Sequence, residues 1–576
     1  MPQVDEGLSD RVMALAKRRG FFWPSYDIYG GSAGFFDFGP LGCATKNRIE
    51  NIWREIFVHA EGNMEIDCPS ITPEVVFKAS GHVSEFTDFV VQCTNEKCAQ
   101  PFRADHLLEG LHPNADSLDR DALREELLKH DISCPICGET YQNPNPEPVN
   151  LMFQTSIRPI NGLRAYLRPE TAQGIFTNFH LLYRLAREQL PFGIAQLGRG
   201  HRNEISPRQG MIRLREFHMA ELEVFVDPED KSNASFPQVK DQNIPLKSKA
   251  NEGEATKTTL ETAIKEGHIA NEMLATYIGR TYQFLIRIGL HPDKVRFRQH
   301  LDSEMAHYAQ DCWDAEALTS FGWIELVGIA DRSAYDLTRH AQHSRTDLTA
   351  FKPYDEPRIE KHTRIIPDLK ALGPMFRGDS KEVARVLEGM DPPTGSGPVS
   401  INLNGKDFEI PNNCFEVREV EEKVSGRRFT PNVIEPSFGI DRIFYCVMEH
   451  AFWEKKDNYR VMRLRPEVSP YDLGVFPLMK KDGLAQKAAP VADELREKGF
   501  TVYYDQSDSI GRRYARMDEA GTPFCITVDH DTLSDDTVTI RERDGERQLR
   551  VPLDRLTEEL KKLKTGWDDL DSFFPK

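Results

Sequence analysis

Nowhere in its 576 residues does the chain carry a run of about 18 apolar residues that could cross a bilayer. Nor can the apolar core of a signal peptide be drawn in residues 1–20, where Asp5, Glu6, Asp10, Arg11, Lys17, Arg18 and Arg19 interrupt every stretch. We expect a cytoplasmic protein. Cysteine is sparse: the ten cysteines, four of them in two close pairs, fit reduced thiols with one metal site better than a disulfide framework. Positive charge is also short. A formal net charge of -18 excludes a protein that coats nucleic acid without sequence preference, though not a local basic groove. The acidity serves solubility or suits a salty cytoplasm. No internal repeat is visible.

With 39% hydrophobic and 28% charged residues, the composition is that of an ordinary globular protein. At ~100–200 residues per domain the length calls for three or four units. Tyr29 to Gly34 and Gly39 to Gly42 mark turns, after which Ile49, Ile52, Trp53, Ile56 and Phe57 make one apolar helical face. An extended stretch, Met64 to Ile71, follows. Residues 91–150 read as an insertion holding the paired cysteines and a charged helical run, Ser117 to Lys129. Two antiparallel strands are expected between Pro191 and Val226, joined by a polar loop, 205–210. Residues 231–257, polar and lysine-rich, read as a flexible linker or an exposed excursion. Residues 352–430 read as a second, irregular insertion. From 466 to 576 strand and helix signals alternate, as in a separate small α/β domain.

Period two on the second strand of the hairpin puts Arg215, Phe217, Met219, Glu221 and Glu223 on one face, and Leu214, His218, Ala220, Leu222 and Val224 on the other. The first face has an aromatic plate, an arginine and two carboxylates, a set able to stack a base and bind an ammonium group; its alternative is an edge hairpin with solvated charges. Glu435 to Arg442 leads from a strand into a helix whose stripe is Ile440, Ile443, Phe444 and Val447. Arg442 lies off that stripe in the first turn, where the helix dipole disfavours a cation unless an anion is near. Cys134 and Cys137 have knuckle spacing for a zinc site of four cysteines; Cys93 and Cys98 are looser, and four free thiols are the alternative.

Taken in order, the helix before Pro69 and Pro73, the 202–223 hairpin and the 435–447 segment resemble the three signature motifs of class II aminoacyl-tRNA synthetases. The wording Phe35-Phe36-Asp37-Phe38-Gly39-Pro40-Leu41-Gly42, Lys78-Ala79-Ser80-Gly81-His82, Phe102-Arg103-Ala104-Asp105-His106, Arg168-Pro169-Glu170-Thr171-Ala172-Gln173-Gly174 and Glu435-Pro436-Ser437 is similar to glycyl-tRNA synthetases of the archaeal and eukaryotic dimeric type. The resemblance implies an α+β fold: an antiparallel-sheet catalytic domain over 1–465 with insertions at 91–150 and 352–430, and an α/β anticodon-binding domain over 466–576.

The same resemblance implies ATP and Mg²⁺ as cofactors, glycine and tRNA(Gly) as substrates, and a homodimer formed through the first motif. Arg202, Glu204 and Arg442 take catalytic roles in it: Arg202 on the α-phosphate, Arg442 at the γ-phosphate end. Asn203, Ile212, Arg213, Leu214, Arg215, Glu216, Phe217, Glu325, Leu326, Gly439, Ile440 and Asp441 complete the nucleotide site. Arg103, Glu170, Phe217, Glu221, Glu435, Ser437 and Gly439 surround glycine, and Cys93, Cys98, Cys134 and Cys137 hold zinc. Ser509 to Ala515 is a basic, aromatic-containing segment for anticodon bases, or else the start of an ordinary amphipathic helix. A noncatalytic relative should have lost Arg202, Glu204 or Arg442, and all three are present. A ligase for serine, threonine or proline is the nearer rival.

Overall fold

The computed structural model describes all residues except 1–6, 113–114, 116–117, 159, 161, 208–209, 251–252, 303, 306–308, 394–396, 404–405, 456–458 and 575–576, and the side chain of 422. Part of the expected loop 205–210 and Ser117 of the expected charged helix therefore lie outside the described residues. The chain divides into two units, 1–348 with 431–576, and 349–430.

The first unit is built on a nine-stranded sheet. Its strands in chain order are β1 (Met64–Glu65), β2 (Phe192–His201), β3 (Glu216–Val226), β4 (Asn243–Lys247), β5 (Thr256–Thr259), β6 (Val295–Gln299), β7 (Asp311–Thr319), β8 (Gly322–Asp331) and β9 (Asn432–Gly439). They lie side by side as β5-β4-β6-β7-β8-β9-β3-β2-β1. Only the β1/β2 and β4/β6 pairs are parallel. Period two sorts the faces. Trp313, Val327, Ile329, Phe438, Ala220, Leu222 and Val224 enter one continuous core, while Asp314, Ser437 and Glu221 stand on the opposite, polar face.

Helices α1 (Leu8–Arg19), α2 (Pro40–Arg54), α3 (Glu272–Arg287) and α4 (Ile440–Ala451) bury their apolar stripes in that core. Pro40 at the first turn of α2 starts a helix with a preset φ, and the helix runs on as a π turn, Glu55–His59. Its stripe lands differently from the expectation of a subunit contact. Ile49, Trp53 and Phe57 are fully buried within the chain's own core, with the Phe57 ring 4.8 Å from that of Phe438 on β9. A stripe already covered by its own sheet is not free to pair with a second copy.

Residues 231–257 also depart from expectation. They supply β4 and part of β5, and Phe236, Val239, Ile244 and Leu246 are buried in the main core. Four well-spaced apolar residues were enough to anchor a segment whose average composition is polar. Residues 87–150 carry a three-stranded sheet and a small core of their own, including Phe102, Leu108, Leu123 and Leu127.

The 349–430 unit, described by itself, is regular rather than irregular. Strands Ala350–Pro367 and Phe415–Phe429 pair as a long antiparallel ribbon, and a hairpin and two helices build a core around Ile365, Leu372, Val383, Leu387, Ile401 and Ile410. At the end of the first unit, residues 473–552 form a five-stranded sheet whose strands Val502–Tyr504, Leu473–Pro477 and Phe524–Val528 are parallel; a hairpin not foreseen from sequence, Thr537–Glu542 with Gln548–Pro552, adds two antiparallel strands.

Candidate active site

The site begins with the β2/β3 hairpin. Gly200 sits opposite Phe217, and a Cβ there would come within 2.7 Å of the Phe217 ring, so glycine leaves the ring its place. The chain leaves β2 through Arg202, whose guanidinium lies 5.5 Å from the Phe217 ring centre and 5.5 Å from that of Phe86. No carboxylate among the described residues lies in ion-pair range of it, so this charge faces a cleft with its fork open to an anion. Arg215 spends its guanidinium on the Ala33 and Glu204 carbonyls, locking the 202–215 loop onto the N-terminal turn.

A cleft opens above β3, β8 and β9. Arg202, Glu204, Arg213, Phe217, Glu325 and Arg442 line it, together with Ile212, Leu214, Leu326, Gly439 and Asp441. Arg442, in the first turn of α4, donates to the Ile212 carbonyl at 2.9 Å and to the Glu325 carbonyl at 3.1 Å, which draws the motif loop and β8 together at the helix N-terminus. Asp441 accepts from the backbone N–H of His218 (2.9 Å) and lies 3.1 Å from its Nδ1. His218, read from the alternation as core, thus lies at the cleft. The Ile440 side chain is fully buried in the core, Asn203 points to solvent, and Glu216 pairs with Arg199; these three, with Arg215, are not among the cleft-lining groups.

Beneath one end of the cleft lies a dense set of acids. Glu221 stands between Gln196 on β2 and Ser437 on β9, accepting from the Thr171 N–H (2.6 Å), the Thr171 hydroxyl (2.5 Å) and the Ser437 hydroxyl (2.8 Å). Glu435 accepts from Arg332 Nη1 at 2.8 Å, and Arg332 also grips Asp336 at 2.9 Å. Gln173 bridges Asp336 and Glu170, at 3.0 and 2.9 Å, and Glu170 lies 3.5 Å from the His82 ring. Glu223 is fully buried with both carboxylate oxygens unpartnered.

Burial raises the carboxyl of Glu221, with repulsion from Glu170 adding to it. Burial likewise pushes Glu435 up to about 7 despite Arg332, and raises Glu223 well above the carboxylate range, helped by Glu435. Burial also opposes the charge on Glu170, but His82, Arg332 and Gln173 overcome it and hold that carboxyl well below its ordinary value. Among the described residues Arg332 is the guanidinium that pairs with these acids, and the carboxylates outnumber it.

The structure thus brings Glu170, Glu221, Glu435 and Ser437 together. It does not bring Arg103 to them: that guanidinium is taken by Asp88 (3.0 Å) and Asp105 (2.6 Å) and lines a separate hollow with His106 and Arg213. Sequence reasoning missed Arg332, Asp336, Gln173 and His82. The Gln173 and His82 signals lay inside the quoted family wording; Arg332 and Asp336 are four apart at a helix start, a spacing that by itself marks only an ordinary ion pair.

Residues 155–451 match the family model described as tRNA synthetase class II core domain (G, H, P, S and T), and residues 472–563 match the anticodon binding domain. The chain is 47% identical over 568 residues to the glycine-tRNA ligase of Methanothrix thermoacetophila, covering 97% of each, and 48% identical over 566 residues to that of Archaeoglobus fulgidus, covering 98% of each. The chain belongs to the glycine-tRNA ligases. Membership of the glycine-tRNA ligases makes it an aminoacyl-tRNA synthetase of class II. The fold agrees with the crystal structure of the prolyl-tRNA synthetase of Cryptosporidium parvum complexed with halofuginone and AMPPNP, at a TM-score of 0.52 and 11% identity over 98% of this chain and 78% of that one. Among the described residues no helix is long and apolar enough to cross a membrane.

Cys93, Cys98, Cys134 and Cys137 converge, with sulfur pairs 3.5 and 3.8 Å apart and all four within 4.8 Å. These spacings are far beyond a disulfide bond of ~2.05 Å and close to the ~3.8 Å edge of a tetrahedron with Zn–S of ~2.3 Å. The donor set fits zinc.

Proposed function

We propose that the cleft over β3, β8 and β9 is where a glycine-tRNA ligase of this architecture joins glycine to ATP and then to tRNA(Gly). The carrying observation is the pairing of an open arginine fork, Arg202, with a buried acid cluster reached past Ser437. Adenine stacks on Phe217, Arg202 holds the α-phosphate, and Arg442 meets the γ-phosphate end. The ammonium of glycine enters the field of Glu170, Glu221 and Glu435. Arg332, the buried guanidinium that bonds both Glu435 and Asp336, holds those carboxylates in place around the ammonium.

The glycine carboxylate oxygen attacks the α-phosphorus as the bond to pyrophosphate breaks, and the 3′-terminal ribose hydroxyl of the tRNA then displaces AMP from the glycyl carbonyl. No side chain needs to form a covalent bond. Positioning and charge neutralisation do the work. Glu325, at the rim and half exposed, offers carboxylate oxygens of the kind Mg²⁺ takes, and Mg²⁺ neutralises phosphate charge when bound. The four cysteines hold a structural zinc. We place the enzyme in the cytoplasm and expect a homodimer, with its contact on Ile71, Val75 and Leu163, which are 49%, 60% and 61% exposed on strand Ile71–Pro73, the helix Glu74–Ser80 after it and the strand Leu163–Leu167 paired with it.

Two variants test the division of labour. Glu221→Gln keeps the shape but removes a charge, so glycine kcat/KM should fall by the equivalent of ~2–5 kcal/mol while the ATP KM changes little. Arg202→Lys should leave glycine binding and slow adenylate formation, because an ammonium cannot reproduce the planar fork. Wild-type turnover of glycine by Glu221→Gln, or equal weakening of both substrates by both variants, would refute the assignment.

A further inference from the structure

The acid row of the sheet continues past the cleft. Glu221, Ser437, Gly328 and Asp314 stand side by side on β3, β9, β8 and β7, and one pleat further on β7 Cys312 pairs with Ala330, itself opposite Glu435. His300, just beyond β6, is tied to this edge: its backbone N–H donates to the Cys312 carbonyl at 2.9 Å, and its Nε2 lies 2.8 Å from Asp314. One donor atom each from His300, Cys312 and Asp314 lies within 4.8 Å of the others.

We propose that His300, Cys312 and Asp314 form an open three-donor site for a zinc-class divalent cation, on the same sheet face as the adenylation cleft and separate from the four-cysteine knuckle. Three observations carry this. The donor set of one imidazole, one thiol and one carboxylate mixes soft and hard ligands as zinc accepts them, and three protein ligands with a free fourth position is the arrangement of a zinc that takes water or a substrate oxygen. His300 turns Nε2 toward Asp314, and Cys312, half buried, makes no hydrogen bond through its sulfur among the described residues.

The third observation is charge. Asp314 shares Arg298 (3.2 Å) with Glu304, and Glu316 is held by Arg296 (2.6 Å) as well as Arg298 (3.3 Å), so three carboxylates face two guanidiniums. A cation would replace the proton that now links His300 to Asp314, and the thiol would release its proton to solvent. With metal-donor distances of ~2.0–2.3 Å the donors of a tetrahedral ion stand about 3.3–3.8 Å apart, so the 2.8 Å His300–Asp314 contact opens to admit the ion. The fourth position is left for a water, hydroxyl, carboxylate or phosphate oxygen.

The test counts metal on the full chain. Chelator-treated protein is loaded with Zn²⁺ or Co²⁺, freed of excess by gel filtration, and assayed for metal per chain. Cys312→Ser and His300→Gln should each hold one equivalent less than wild type, a difference independent of the knuckle, and Cys312→Ser should lose part of the thiolate-to-cobalt charge-transfer absorption. In the unmutated chain, Zn²⁺ should slow alkylation of Cys312 by iodoacetamide at least tenfold, read by peptide mapping. Equal metal content in all three proteins, or equal alkylation of Cys312 with and without Zn²⁺, overturns the proposal; the alkylation result stands even if a variant fails to fold.

Discussion

Glu435 sets the acid-base behaviour of the proposed glycine pocket. Its carboxyl lies at about 7, raised by burial and by Glu221 and Glu170 against the pull of Arg332. That is above the ~4.3 of an unfolded glutamate, so the folded chain binds this proton more tightly. The sign follows: its unfavourable effect on the fold grows as pH rises from ~4.3 to about 7 and is constant above. An ammonium ligand prefers the ionised form. Glycine KM should therefore rise as pH falls below about 7, by at most about tenfold per unit, and Glu435→Gln should flatten that limb; pyrophosphate exchange across neutral pH reads both. At this scale the motif wording located Glu170, Glu221, Glu435 and Ser437, because each occupies a named position in a run of family residues. Arg332 escaped because its near partner, Asp336 four residues on, marks only an ordinary ion pair, and its other partner, Glu435, lies 103 positions away. Arg103 misled for the converse reason: a family-like sequence does not reveal that Asp88 and Asp105 already hold it.

Among elements, the β2/β3 hairpin and the cysteine insertion carry the clearest consequences. Gly200→Ala would drive a methyl group into the Phe217 ring and the Met219 sulfur, at 2.7 and 2.9 Å. Overpacking of that kind costs ~1–3 kcal/mol, and because the displaced ring is the proposed adenine platform, the ATP KM should rise more than the glycine KM. Cys134→Ser with Cys137→Ser should abolish one zinc per chain and lower the melting temperature of the insertion, whose core is small, while the main sheet stays folded; metal analysis with circular dichroism checks both. The strands and helices with strong periodicity were legible in the sequence, β2, β3 and α4 above all. The 231–257 segment was not, since its composition is polar and only the sparse placement of Phe236, Val239, Ile244 and Leu246 betrays two sheet strands. Nor was the true face of α2: periodicity tells that a stripe is buried, not which surface buries it.

For the whole molecule the expected dimer must rest on residues left uncovered after folding. Val75→Glu, at an exposed apolar position in the helix Glu74–Ser80, should shift the enzyme from dimer to monomer at micromolar concentration in light scattering without loss of helix signal. A change at Ile49 would instead unfold the core. Likewise the basic segment 509–515, read as a surface for anticodon bases, places Arg513 fully inside the C-terminal domain, donating to the Pro477, Asp505 and Leu478 carbonyls, and leaves Arg512 outside. The C-terminal domain also shares Phe476, Met517 and Cys525 with the main core. The ties between beginning and end are long: Arg18 and Arg19 pair with Glu519, 501 and 500 positions away, Arg48 grips Asp472 across 424, and Ser9 bonds Tyr445 across 436. On a ribosome moving at ~5–20 residues per second, α1 would wait roughly 25 to 100 s for Glu519 to be made. Through that interval Val12, Leu15 and Ala16, all fully buried at the end, have only strand Phe22–Pro24 and, late in the interval, α4 to cover them. Synthesis of α4, and then of the segment around Glu519, thus governs when the first helix can settle, and a holding chaperone would find its target there.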